Sequence, residues 1–538
     1  MVTRTTPRRL AWFFPTLAGY QRSWIRPDIL AGISAGAVII PQGMAYATIA
    51  NLPVQVGLYT CMVPMLVYAM LGGSRAMSVS TTSTIATLTA TTLVTGGIAA
   101  SSDDPARAVT TLTLLVGLIL VLARILKLGS LVENISRATI VGIQIGVGAT
   151  VAIGQLPKML GVDSNFSGHG FIRSVIALIE ALPGINLATT ALSVGSVLVL
   201  VFAKRMAPRL PAQLIVVIVG ILLVAFAGIT TAGVALIDPV PTGLPLPALP
   251  SLERITGLIP GALAISIMAF LETAAVARGI REAGDTQIDS NQELLASGAA
   301  SLAGAFFQTL PAAGGFSQSA VNRAAGAKSQ LATLVTVALA VLVALFLGRV
   351  LSLLPQATLA AMVFIAVVGL IDIGALVRYA RISRPEFWIA TVTAVMGLTV
   401  GLLAAVAVGV ATTFALVLHE LNRVRVVVGE RRGSTLAIVI EGSVYTANVL
   451  ENEQAVLALV DAEDGVSRVV LDLSHMMATS LMVIDALEDL DRELAERGIT
   501  LVVAALPDAA TAMASKTEWF STLRADGRVF ASVAEALR

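Results

Sequence analysis

Ser78-Val79-Ser80-Thr81-Thr82-Ser83-Thr84 is a run of hydroxyl side chains that opens an apolar stretch too short to be a simple membrane span. A second stretch of the same form is Gly314-Gly315-Phe316-Ser317-Gln318-Ser319-Ala320-Val321-Asn322, where small residues after Thr309-Leu310-Pro311 lead into a short helix. A helix that starts at either place presents unpaired N–H groups and the positive end of its dipole, which favour an anion. Hydroxyls also cap helices or hold them to their neighbours, and small residues let helices pack closely, so neither stretch decides the matter alone. Together they do more. Two helix N-termini pointing at one another across the membrane midplane would hold an anion without any lysine or arginine. Ser80, Thr81, Phe316, Ser317 and Gln318 are the binding residues these stretches nominate.

The rest of the chain supplies the membrane setting. Of 538 residues, 56% are apolar and 13% charged, with a mean hydropathy of +0.87. An ordinary soluble enzyme carries about 25% charge, so that class is excluded. At roughly 20 apolar residues per crossing of a bilayer core of about 30 Å, residues 28–420 offer about 14 passes, of which the third and tenth are the short ones. Those are matching places if the chain is an inverted repeat of two seven-pass halves, joined through the proline-rich stretch from Gly228 to Pro260. Lysine and arginine accumulate in cytoplasmic loops, and the alternation puts about 14 of them inside, Arg75, Arg124, Arg278, Arg323 and Arg378 included, against about 5 outside. The N-terminal segment 1–27 and the C-terminus are therefore expected in the cytoplasm, with the protein in the cell membrane.

The net charge of +1 hides an asymmetry. Met1 to Glu420 sums to about +8 and the remaining tail to about −7, which makes a nucleic-acid partner unexpected. The single cysteine, Cys61, lies in an apolar run and reads as a packing residue. His169, His419 and His475 have no ligand-like spacing, and no nucleophile motif is recognisable, so neither a metal, a cofactor nor an enzyme activity is expected. Asp372 and Glu133 fall near span ends and read as interfacial.

Two further features carry chemistry. Pro41-Gln42-Gly43-Met44-Ala45-Tyr46-Ala47 puts proline and glycine inside a span, where an interrupted helix would free backbone groups and turn Gln42 and Tyr46 toward a substrate; a simple kink is the other reading. Glu272 is the one acid well inside an apolar span. An intramembrane carboxylate costs several kcal/mol unless sheltered, so it faces the protein interior and marks an ion or proton path, or else it is a structural group hydrogen-bonded between helices. Reversible protonation of such a group makes Glu272 the coupling candidate.

After residue 423 the pattern changes. Ser434 to Glu441, Arg468 to Leu473 and Thr500 to Ala505 read as strands and Leu481 to Glu496 as an amphipathic helix, giving a small α/β domain over residues 424–538.

Several of these stretches together resemble the sulfate permease (SulP) family of anion transporters, whose members commonly end in a cytoplasmic STAS domain. The matching residues are Asp28-Ile29-Leu30-Ala31-Gly32, Pro41 to Ala47 with Leu52-Pro53, Asp289-Ser290-Asn291-Gln292-Glu293-Leu294, and Gly314 to Asn322, with Leu471-Asp472-Leu473-Ser474 in the tail. The resemblance implies seven-plus-seven inverted repeats, a core and a gate domain, a homodimer, and substrate held between the third and tenth helices. Three departures stand out. Gln318 occupies a place where many relatives have arginine, which leaves helix dipoles to carry more of the anion binding. Val276 stands one turn after Glu272, where sodium-coupled relatives have a hydroxyl, which favours protons. Ser480-Leu481 replaces the Asp-Ser often found at that helix start in STAS domains. The expectation is proton-coupled symport of a small anion, sulfate, bicarbonate or a dicarboxylate. Uncoupled anion conduction or exchange, and a membrane-anchored sensor working through its tail, are the alternatives.

Overall fold

The computed structural model describes residues 14–17, 20–96, 105–129, 136–162, 171–206, 211–251, 255–281, 287–369, 371–421, 426–441, 448–476 and 480–538; Glu133, His169 and most of segment 1–27 lie outside them. Two compact units divide the chain, Met1–Thr413 and Phe414–Arg538.

The first unit is helical, and each half carries one short strand followed directly by a helix. The first half runs α1 (Ile25–Ile49), α2 (Val54–Thr60), α3 (Val63–Leu71), strand β1 (Val79–Ser80), α4 (Ser83–Thr95), α5 (Pro105–Ile125), α6 (Arg137–Leu160), α7 (Phe171–Ala181), α8 (Leu187–Met206) and α9 (Ala212–Ala227). The second runs α10 (Ile255–Gly279), α11 (Ser290–Ala305), strand β2 (Ala313–Gly314), α12 (Phe316–Ala324), α13 (Leu331–Phe346), α14 (Gly348–Leu351), α15 (Gln356–Val368), α16 (Ile373–Ile382), α17 (Arg384–Thr399) and α18 (Leu402–Leu421). Among the described residues, six helical stretches, Arg22–Ile49 and Ile255–Gly279 included, are long and apolar enough to cross a bilayer.

The expected interruption at Pro41 does not occur. Helix α1 continues through it. Proline withholds only the N–H that would reach the Ala37 carbonyl, and the helix is buried on either side of it, so packing holds what one missing hydrogen bond would loosen. Small residues bring the neighbours close. A Cβ on Gly57 of α2 would lie 2.1 Å from the Gly43 carbonyl oxygen of α1, and one on Gly142 of α6 would lie 2.5 Å from that of Ala390 in α17. Such approaches give van der Waals packing where lipid supplies no hydrophobic drive between helices.

The hydroxyl run opens its helix later than its first residue suggests, because Val79 and Ser80 form a strand. Strands β1 and β2 pair antiparallel, Val79 opposite Gly314 and Ser80 opposite Ala313, and the Gly315 N–H reaches the Ser78 carbonyl at 3.1 Å. So short a ladder leaves most of the flanking backbone to be satisfied by side chains. Before β1, the Leu71 carbonyl accepts from Gln292 Nε2 (2.6 Å), the Gly73 N–H donates to Glu293 (3.1 Å), and the Ala76 carbonyl accepts from Asn322 Nδ2 (3.1 Å). Gln330 Nε2 spans the Ser74 and Met77 carbonyls at 2.7 and 2.8 Å, and the Ser78 N–H donates to Ser319 Oγ at 3.0 Å. Before β2, hydroxyls do the same work. The N–H groups of Leu310, Ala312 and Gly314 donate to Thr60 (3.0 Å), Ser301 (3.1 Å) and Thr273 (2.9 Å), while Thr113 donates to the Thr309 carbonyl at 2.8 Å. Asp28 in the first turn of α1 accepts from the Lys328 and Ser329 N–H groups (2.6 and 3.1 Å) and from Ser329 Oγ (2.7 Å), tying down the chain that leaves α12.

The second unit is a five-stranded sheet in the order β3 (Val426–Arg432), β4 (Thr435–Ile440), β5 (Arg468–Asp472), β6 (Thr500–Ala504), β7 (Val529–Phe530). The first pair is antiparallel and the others parallel. Leu436, Ile438, Val469, Leu471, Leu501 and Val503 pack with α19 (Val449–Asp461) and α20 (Leu481–Glu496). The alternate residues Ala437, Val470 and Val502 pack on the other face against Ala536 and Leu537, at and just after α23 (Val533–Ala536). Between them lie α21 (Asp508–Ala514) and α22 (Glu518–Ala525). The three strands and the helix read in the sequence are present. Strand β3 escaped that reading because it is an edge strand with six of its seven residues exposed. The acidic face of α20 is solvated except at Asp491, which is buried and accepts from Trp519 Nε1 (3.0 Å) and Arg528 Nη1 (2.8 Å).

Replacing Gln330 by leucine orphans two buried carbonyls, each costing about 1–3 kcal/mol, whereas Gln292→Leu orphans one that is only partly buried. The expected result is a clearly larger fall in apparent melting temperature for Gln330→Leu than for Gln292→Leu, read on the detergent-solubilised protein.

Candidate functional site

Helix α4 starts where Thr82 stops the strand. Its backbone is extended (φ −125°, ψ 166°) and its Oγ1 accepts from the Ile85 N–H at 3.2 Å, an N-cap. Helix α12 starts after Gly315, also extended, and no side chain caps it. The first N–H groups of a helix have no intrahelical acceptor, so α12 keeps donors to offer. The β1–β2 pair holds the two helix starts together.

Beside them lies a cavity of about 710 Å³. Gln42 and Tyr46 of α1, Thr82, Ser83 and Thr84 at the head of α4, and Glu272 of α10 line it, with Gly314, Gly315, Phe316 and Ser317. The facing wall is made by Gln144 of α6, Gln213 at the head of α9, and apolar residues of α15 such as Met362 and Val363. Among these lining residues there is no lysine, arginine or histidine.

Five of the nominated residues thus meet in one place: Gln42, Tyr46, Glu272, Phe316 and Ser317. Gln42 Nε2 donates to Ser317 Oγ at 3.2 Å, which joins α1 to the start of α12. Ser80, Thr81 and Gln318 do not line the cavity. They are buried behind it, where Ser80 Oγ donates to Gln318 Oε1 at 2.8 Å. The reason is local geometry. Successive strand residues point to opposite faces, and successive helix residues are rotated by about 100°, so a reading one or two residues early selects side chains turned away from the site. The residues missed on that account are Thr82, Ser83 and Thr84, whose signal was the capping preference of threonine ahead of the apolar run. Gln144 and Gln213 were missed too, although a lone amide in an apolar span is itself a signal.

Glu272 is buried, and its Oε2 accepts from Thr82 Oγ1 at 2.7 Å. The Thr82 hydroxyl therefore joins the buried acid to the N-terminus of α4, and the Thr84 hydroxyl lies against the same carboxylate. Helix starts, amides and hydroxyls can donate hydrogen bonds to a small anion, but an ionised carboxylate in the same cavity opposes it.

Residues 25–393 match the sulfate permease family, and residues 427–536 match the STAS domain. The chain belongs to the sulfate permease family. A probable sulfate transporter of Mycobacterium tuberculosis is 33% identical over 508 residues, covering 90% of each chain. The chloroplastic sulfate transporter 4.1 of Arabidopsis thaliana is 29% identical over 529 residues, covering 89% of this chain and 75% of that one. Among solved structures, the murine solute carrier 26 family member A9 anion transporter in its inward-facing state superposes with a TM-score of 0.89 at 22% identity, over 100% of this chain and 95% of that one. The transmembrane domain of a cyanobacterial bicarbonate transporter, BicA, gives 0.63 at 22% identity, over 72% of this chain and 98% of that one. The fold is therefore that of these transporters, a helical membrane unit followed by a STAS domain.

The single cysteine of the chain, Cys61, is buried, which allows the cavity wall to be mapped chemically. A water-soluble thiol reagent is expected to modify Ser317→Cys at least about tenfold faster than Ser80→Cys, with the parent protein unreactive; equal rates would show that the two side chains do not differ in access.

Proposed function

We propose that this member of the sulfate permease family is a secondary active transporter that carries a small anion, sulfate foremost, in symport with protons, with Glu272 as the proton carrier. The observation that carries the reading is the position of Glu272 in the wall of the same cavity as the two helix starts, bonded to one of them through Thr82. The anion lies against the N-termini of α4 and α12, with Gln42 and Ser317 as hydrogen-bond donors and Tyr46 and Phe316 as walls. With no cationic side chain among the lining residues, the charge balance of the cavity turns on one carboxyl group. Protonating it lets the anion enter, and an anion in place favours the proton, so the two are carried together. Relatives with sulfate in their names support that anion over bicarbonate and dicarboxylates.

The excess of lysine and arginine in one set of loops supports a cell-membrane protein with both termini in the cytoplasm. A membrane-anchored sensor has no use for paired helix starts around a cavity, which weighs for transport.

In proteoliposomes, an acid-outside gradient is expected to raise [35S]sulfate uptake about tenfold, and Glu272→Gln to abolish that response while leaving the protein folded. Wild-type uptake indifferent to the gradient overturns proton coupling and favours uncoupled exchange or conduction. Competition by unlabelled bicarbonate or succinate stronger than by sulfate would reassign the anion.

A further inference from the structure

We infer that Thr82 is the positioning residue through which the protonation of Glu272 adds a hydrogen-bond donor to the anion cavity, an inference that rests on Glu272 being the proton carrier. A threonine hydroxyl has one proton to donate and two lone pairs to accept with. Two of these three capacities are used: Thr82 Oγ1 donates to Glu272 Oε2 at 2.7 Å and accepts from the Ile85 N–H at 3.2 Å. An ionised carboxylate can only accept. While Glu272 is charged, the hydroxyl proton is committed to it.

A protonated Glu272 has a proton of its own to give. It donates to the second lone pair of Thr82, and the hydroxyl proton is released toward the cavity that Thr82, Ser83 and Thr84 line. The bond to Ile85 is kept in both states, so α4 stays capped while the direction of one hydrogen bond reverses. Proton binding forms one O–H bond on the Glu272 carboxylate, which removes its negative charge, and the reversed hydrogen bond then frees the Thr82 O–H as a donor at the helix start; beyond that one O–H bond only hydrogen bonds change. A bystander cap would need only the Ile85 contact, and a bystander partner of Glu272 only the other.

The Thr84 hydroxyl, buried and with no other partner, is the second hydroxyl beside the Glu272 carboxylate. Tyr46 of α1 is the other titratable side chain in the cavity wall. Of the elements packed on α10, α4 and β2 carry no charged residue, α5 carries Arg107 and Arg124 near its ends, α12 carries Arg323 next to its last residue, and α10 itself ends with Arg278. Glu293 of α11 is engaged elsewhere, by the Tyr68 hydroxyl at 2.8 Å and the Gly73 N–H.

The test is the apparent KM for [35S]sulfate uptake by the full chain in proteoliposomes, with inside and outside held at the same pH, mildly acidic or mildly alkaline, so that binding is separated from driving force. Wild type is expected to show a KM about thirtyfold higher at the alkaline pH. Thr82→Asn can cap Ile85 through its oxygen and donate to Glu272 through its nitrogen, and the second N–H of that nitrogen stays available to the cavity whether or not Glu272 holds a proton. Its shift is expected to fall to about threefold, the part due to charge alone. Thr82→Ser, which keeps donor and acceptor on one oxygen, is expected to retain the wild-type shift. Should Thr82→Asn not fold, Thr82→Ala is read in its place with the same expectation. A full shift in the asparagine or alanine variant, or its loss in Thr82→Ser, overturns the inference and leaves Glu272 as carrier. A wild-type KM that ignores pH overturns both.

Discussion

Backbone that is neither helix nor closed barrel cannot face lipid, because each unpaired N–H or C=O costs several kcal/mol there. The crossing of β1 and β2 breaks two helices inside the membrane unit, and the rest of that unit is arranged around meeting the resulting demand. The ladder itself pairs only two residues on each side. Residues 71–78 are therefore held by amides, a carboxylate and the Ser319 hydroxyl from α11, α12 and the residue before α13, while residues 309–314 are held by hydroxyls from α2, α5, α10 and α11. Those partners come from α2, α5, α10, α11, α12 and the residue before α13, so the crossing is complete only when these helices are assembled.

That requirement accounts for polar residues that do not touch the cavity. Gln292 and Glu293 belong to the Asp289-to-Leu294 stretch, and Asp28 opens the Asp28-to-Gly32 stretch, two of the stretches on which the family resemblance rests. Asp289 caps α11 by accepting from the Asn291 N–H at 2.9 Å, Gln292 and Glu293 hold the chain entering β1, and Asp28 holds the chain leaving α12. Gly32, at the other end of its stretch, lets α1 approach so near that a Cβ would lie 2.4 Å from the Ala332 carbonyl oxygen. These stretches are scaffolding for the crossing. Residues that follow each strand, Thr82 to Thr84 and Gly315 to Ser317, instead line the cavity.

The same division explains what the sequence disclosed and what it did not. Composition and the two short segments were enough for the membrane class, the matching of those segments and the α/β tail, since these depend on hydrophobic runs and periods that survive without any knowledge of contacts. Glu272 stood out because a carboxylate in an apolar span has few harmless explanations. The finer assignments failed where a single residue of register matters. Ser80 and Gln318 were nominated by type, yet they bond to one another behind the wall, and Pro41 was given the power to break a helix that its buried surroundings keep whole. Gln144 and Gln213 reach the cavity from elements far away in sequence, and only the packing of α6 and α9 against the core brings them there.

The lack of a cationic side chain in the wall has a consequence for how such a site could couple two solutes. A fixed arginine would attract the anion whether or not the neighbouring acid held a proton, and it would also stabilise that acid in its charged form. Gln318 supplies no such charge, and it is turned away from the cavity in any case. What remains are helix-start N–H groups, amides and hydroxyls, whose pull on an anion is short-ranged and directional and is readily outweighed by one nearby carboxylate. Under the proposed coupling, such a site is weak while Glu272 is charged and adequate once it is neutral, and the scarcity of charge in the membrane unit serves strict coupling as well as residence in lipid.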